Sequence, residues 1–128
     1  MIQGVDNIGI CVSDVAKSVE FYERLGFEKK FENDLGCMMV AGTARLFVFH
    51  SGGQQAPGAR RSLELRGSPP GFDHISFLVD DVDKSYREGK AKGVAFANEP
   101  ADQAFGARSV AVRDPDGNNL YLLKWLEK

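Results

Sequence analysis

Little in this chain is extreme, and what is scarce narrows its class first. There are only two cysteines, Cys11 and Cys37, without CxxC spacing. They read as reduced thiols in or near the core; a disulfide or a nucleophilic thiol is the minor alternative. No charge of one sign dominates: 16 Lys and Arg against 18 Asp and Glu leave a net charge of −2. The basic footprint of a nucleic-acid-binding protein is therefore absent. No basic stretch leads into an apolar one, so no secretory signal is expected. No apolar run approaches the roughly 20 residues of a spanning helix. A cytoplasmic protein without membrane partners is the expectation. At 128 residues the chain has the size of one domain with a real core.

What is present is a repeat. NIGICVSDVAKSVEFYERLGF at 7–27 lies without a gap over HISFLVDDVDKSYREGKAKGV at 74–94. Ile8 falls on Ile75, Val12 on Val79, Asp14 on Asp81, Val15 on Val82, Ser18 on Ser85 and Gly26 on Gly93. A repeated unit fixes architecture before any local reading does. The copies differ at their first position, Asn7 in one and His74 in the other.

Each copy starts as an alternating strand, Val5 to Val12 and Phe72 to Val79. Asp14 and Asp81 follow as helix caps, because a short carboxylate takes an orphan N–H of the first turn. Val15, Val19, Tyr22 and Leu25 give the first helix one apolar stripe, and Gly26 ends it. The second helix runs to about Lys92. Strands are expected at Phe27–Phe31, Gly36–Val40 and Arg45–Phe49, then at Val94–Ala97, Arg108–Arg113 and Asn118–Trp125. Asp114-Pro115-Asp116-Gly117 suits a type I turn. A Gly-, Pro- and Ser-containing stretch from Ser51 to Gly71 joins the halves, with Ser62–Arg66 open to a short extra strand.

Helix stripes must be buried, and the faces with Ile8, Ile10, Val12, Ile75, Phe77 and Val79 are their natural partners. The opposite faces then carry Asn7, Gly9 and Cys11; Phe47 and Phe49; His74, Ser76 and Leu78; and Tyr121, Leu123 and Trp125.

The chain resembles the vicinal oxygen chelate superfamily, that is, the glyoxalase, bleomycin resistance protein and dioxygenase family. VDNIGICVSDVAKSVEFYERLGF, FDHISFLVDDVDKSY and ARSVAVRDPDGNNLYLL carry the resemblance. It implies an α+β fold of two paired β-α-β-β-β modules whose curved mixed sheets form a cup. Module one would cover about 1–52, the linker 53–70 and module two 71–128. It also implies a homodimer. Metal-using relatives draw two His and two Glu, or a close variant, from the first and last strands of each module. Those slots here map to Asn7, Phe47, His74 and Tyr121, and only His74 is a usual ligand type. Phe47 cannot bind metal, a phenol must first lose its proton, and an amide brings no charge. Three or four donors are needed for Zn, Ni or Fe. If a divalent ion binds, it uses His74 with Glu64 or His50. Glu64 would enter were Ser62–Arg66 the fourth strand; Leu46–Phe49 is the longer apolar candidate. The expectation is no cofactor.

His74 is the foremost site candidate, as a hydrogen-bond donor or a general base. A partly buried His satisfied by a carbonyl explains it as well. No second titratable group is expected beside it. Asn7, Phe47, Phe49, His74, Tyr121 and Trp125 form the expected ligand-binding set. Its aromatics suit a flat or apolar molecule, although simple core closure is an equal alternative. His50, Arg45, Arg113, Arg60 and Arg61 read as solvated charge. The linker reads as either a lid or plain surface. The functional expectation is a metal-free binder of a small aromatic or amphipathic molecule. The alternatives are a metal-dependent lyase, isomerase or dioxygenase, and a regulatory partner without a ligand.

Overall fold

A computed structural model of the chain describes residues 1–53 and 62–127. Arg60, Arg61 and the middle of the expected linker lie outside the described residues. The chain divides into two compact units, Met1–Pro57 and Gly58–Lys128.

The first unit runs β1 (Ile8–Val12), α1 (Val15–Arg24), β2 (Glu28–Glu32), β3 (Gly36–Ala41), β4 (Ala44–His50). Its sheet order is β1-β4-β3-β2, with β1 parallel to β4 and the other pairs antiparallel. The Asp14 carboxylate accepts from the Lys17 N–H at 3.0 Å and starts α1. Gly26 follows its end at φ 102°, where a side chain would be strained. α1 packs on β2, β3 and β4. Beneath it Cys37, Met39, Leu46 and Val48 are fully buried against Val19 and Tyr22. Each such apolar side chain contributes about 1.5–3 kcal/mol on leaving water. Ile8, expected on this face, is 38% exposed because it opens the edge strand.

The second unit repeats the plan: β5 (His74–Leu78), α2 (Val82–Ala91), β6 (Ala101–Asp102), β7 (Ala107–Arg113), β8 (Asn119–Trp125). Its order is β5-β8-β7-β6, with β5 parallel to β8. The Asp81 carboxylate accepts from the Lys84 N–H at 3.0 Å, as its counterpart does in the first copy. Val82, Val110 and Leu122 form the core with Phe77, Val79, Tyr86 and Phe96. The Asp114 turn closes with Gly117 N–H donating to the Asp114 carbonyl at 2.9 Å. The buried Asp114 carboxylate also accepts from the N–H groups of Asp116 and Asn118.

One expected strand is corrected, and the open question of a short extra one is settled. Val94–Ala97 makes only the single bridge Phe96 to Val112, and the pairing role passes to β6. There the Ala97 N–H donates to the Ala111 carbonyl and the Asn98 side-chain carbonyl accepts the Ala111 N–H, both at 2.8 Å. A side chain has replaced the ladder. Ser62–Arg66 is no strand either. The Ser62 hydroxyl accepts the Glu64 N–H at 3.0 Å, and Ser68 N–H donates to the Leu65 carbonyl at 3.3 Å. These turns take the groups a strand would use. Among the described residues no helix is long and apolar enough to cross a membrane.

Candidate functional site

The site lies on the face of the second sheet that α2 does not cover. Strand alternation puts His74 and Ser76 on that face of β5, and pairing brings Tyr121 and Leu123 of β8 beside them. The turn at Ser62–Leu65 crosses this face, held by two side chains of β8. Asn119 Nδ2 donates to the Ser62 carbonyl at 3.2 Å and the Tyr121 hydroxyl to the Leu63 carbonyl at 3.4 Å. Asn119 is oriented in turn, since its Oδ1 accepts from Arg113 Nε at 2.9 Å.

A cavity of about 360 Å³ results, with His74 and Tyr121 on the sheet, Glu64 from the turn, and Asn98, Gln103 and Phe105 completing the wall. The His74 and Tyr121 rings meet edge to face, 4.9 Å between centroids. Asp73 Oδ1 is 2.8 Å from His74 Nδ1. Burial pushes the Tyr121 phenol pKa up, the Asp73 charge adds to this, and Arg113 opposes it. Tyr121 is therefore a neutral hydroxyl at neutral pH, able to donate. Among the described residues, Glu64 and His74 are the ionisable side chains lining the cavity besides Tyr121.

The other expected residues are placed as follows. Phe47 and Phe49 lie on the uncovered face of the first sheet, half-buried, with rings 5.7 Å apart and 17° from parallel. Gly9 pairs with Phe47 within β1 and β4, so β4 is the fourth strand of its module and Phe47 keeps its register. Asn7 precedes β1, exposed, and its amide donates to the Asp6 carboxylate at 2.9 Å. His50 pairs with Val12 at the far end of the same strands, so Asn7 and His50 are not brought together. Trp125 is exposed and stands edge to face with Phe105, 5.8 Å between centroids, one contact removed from the cavity. Cys37 is buried as expected, but Cys11 is exposed, because the face of β1 that carries it is turned from the core.

Two acidic side chains therefore accompany His74, contrary to the expectation of none. Glu64 arrives through the turn. Asp73 immediately precedes β5, so strand alternation does not send it to the opposite face; the Asp-His pair in the sequence was the available signal. Asn98, Gln103 and Phe105 come from irregular backbone and had no signal of that kind.

The chain matches the Glyoxalase/Bleomycin resistance protein/Dioxygenase superfamily over residues 4–122. The chain belongs to this superfamily. This member is 31% identical over 123 residues to the uncharacterised protein YraH of Bacillus subtilis, covering 93% of this chain and 96% of that protein. Its fold is similar to that of SMU.1112c, with a TM-score of 0.79, 29% identity, and coverage of 97% of this chain and 100% of the other. A glyoxalase family protein from Enterococcus faecalis gives a TM-score of 0.77, 25% identity, and coverage of 95% and 98%.

Metal-using members of the superfamily hold a divalent ion at these slots, and the donors here do not fit one. Of the mapped positions Asn7, Phe47, His74 and Tyr121, only His74 is a usual ligand. At its cavity Glu64 is the one further anionic donor, which makes two where three or four are required. Among the described residues no group of three or more His, Cys, Asp or Glu could hold a metal ion.

Proposed function

We propose that this superfamily member binds a small aromatic or amphipathic molecule without a metal ion, and holds it rather than transforms it. The observation that carries this reading is the cavity of about 360 Å³ in the second unit, walled by Phe105, Tyr121 and His74. Its volume lies at the small end of ligand sites, and its wall is mixed, with Leu63, Leu65, Phe105 and Leu123 set among polar side chains, which suits an amphipathic molecule. Sequestration needs no electrophile and no polarised carbonyl, so a site with one imidazole and two carboxylates suffices. Cytoplasmic residence and homodimerisation belong to the same proposal.

A metal-dependent lyase, isomerase or dioxygenase is the second reading, favoured by one detail. A carboxylate on Nδ1 of a histidine is the usual support of a metal-ligating imidazole, and Asp73 holds that position on His74. Elemental analysis separates the two. The protein is purified, incubated with Zn, Ni, Mn or Fe(II), desalted and analysed beside His74→Ala. The expected result is substoichiometric metal in both proteins. Stoichiometric metal in the wild type that disappears in the variant would replace binding by metalloenzyme chemistry.

A further inference from the structure

We infer that the cavity of the second unit selects molecules presenting N–H donors, such as amines, amidines or amino-substituted aromatics, and that Asp73 and Glu64 set this selectivity. The inference rests on the binding function proposed above. It follows from counting which hydrogen-bonding groups are already spent.

A carboxylate only accepts, so the 2.8 Å contact between Asp73 Oδ1 and His74 Nδ1 requires the proton on Nδ1. In the neutral ring the lone pair is then on Nε2, the nitrogen left for a ligand. Glu64 lines the same cavity, accepts only, and has no ion-pair partner among the described residues. Among the described residues no Lys or Arg lines the cavity. Tyr121 spends its proton on the Leu63 carbonyl at 3.4 Å. The Gln103 amide donates to the Ala101 carbonyl at 3.4 Å, which leaves its side-chain oxygen. Neutral donors remain as well: Gln103 keeps its second N–H, the Asn98 oxygen accepts the Ala111 N–H so its NH2 group is left, and the Ser76 and Ser109 hydroxyls donate or accept. Charge therefore decides more than the number of donors. An anionic ligand would face Glu64 with no cation among the described lining residues to offset it, whereas an N–H donor meets an imidazole lone pair and a carboxylate. The rings of Phe105 and Tyr121 suit a flat body attached to that donor.

Benzamidine, benzamide and benzoate share one shape and differ in donors and charge. Each is titrated into the intact protein in mildly alkaline buffer, where imidazole is ordinarily neutral. Binding is read from the NMR resonances of His74 and Tyr121. Benzamidine is expected to bind about five- to tenfold tighter than benzoate, since a charge-assisted contact near solvent is worth that much, with benzamide between them. Glu64→Gln, at an exposed position, should remove most of the advantage of benzamidine over benzamide. Asp73→Asn should weaken both and change the His74 ring nitrogen shifts toward the other tautomer, which a merely structural change would not do. Benzoate binding as tightly as benzamidine, or a preference that survives Glu64→Gln, would overturn the inference and leave the binding function standing. If no probe moves His74 or Tyr121, the binding function falls with it.

Discussion

At the scale of single residues, two glycines show how differently one added methyl group can act. A Cβ on Gly36 would lie 2.0 Å from the Val48 carbonyl oxygen and 2.7 Å from the Phe49 Cα. Both are backbone atoms of the strand with which Gly36 pairs, so β3 would have to part from β4. A Cβ on Gly89 would lie 2.8 Å from the tip of the Phe96 ring, which can swing aside. Gly36→Ala should therefore cost about 3 kcal/mol or more. Gly89→Ala should cost less, about 0–2 kcal/mol, because a repacking cost of about 1–3 kcal/mol is partly offset by about 1 kcal/mol of helix propensity. Urea unfolding of both variants checks the order, and equal losses would refute it. Neither approach was legible in the sequence, where Gly36 reads only as the start of a strand. Asp73 was hidden in another way: a residue just outside a strand does not obey the strand's alternation.

At the scale of elements, Arg108 ties three together. Its Nε and Nη2 donate to both oxygens of Asp83 at 2.8 and 2.9 Å, and its Nη1 donates to Asp102 at 3.0 Å. The first turn of α2, the short β6 and the start of β7 are thereby joined. The Arg108 hydrogen bonds hold the Asp83 carboxyl below the usual aspartate pKa, against the smaller opposing effect of desolvation. A depressed folded-state pKa gives stability that is present above the unfolded value of about 4 and lost as pH falls through the folded one. Arg108→Gln should therefore lower the melting temperature at neutral pH, and the gap to wild type should close in acid below about pH 4. Melting curves across that range decide the matter; a gap constant with pH would show that the ion pair is not its source. The helices and most strands were legible because caps and alternation are local. The 62–66 turn and the 96–98 segment were not, because Ser62 and Asn98 side chains capture backbone N–H groups that a propensity reading assigns to ladders.

At the scale of the whole molecule, the duplication carried the architecture. Two copies of one pattern foretold two β-α-β-β-β units, and both form with the first strand parallel to the last. That parallel pairing joins residues about forty positions apart, beyond local propensity, and the family resemblance implied no more of it than a mixed sheet. The cavity needed more still: a turn from the segment between the copies, laid on the second sheet by Asn119 and Tyr121. The metal question also belongs to this scale, because an ion that binds the native state alone stabilises all of it. At a hundredfold excess over its dissociation constant the gain is about 2.7 kcal/mol, or about 10 °C in Tm for a chain of this length. With His74 the sole usual ligand among the mapped positions, no such gain is expected. The Tm of the purified protein should stay within about 1 °C on adding EDTA and on adding Zn, Ni or Mn afterwards, for wild type and His74→Ala alike. A fall of several degrees in EDTA, reversed by one of these ions and absent in the variant, would mean that this chain completes a metal site around His74 with donors other than those its sequence aligns.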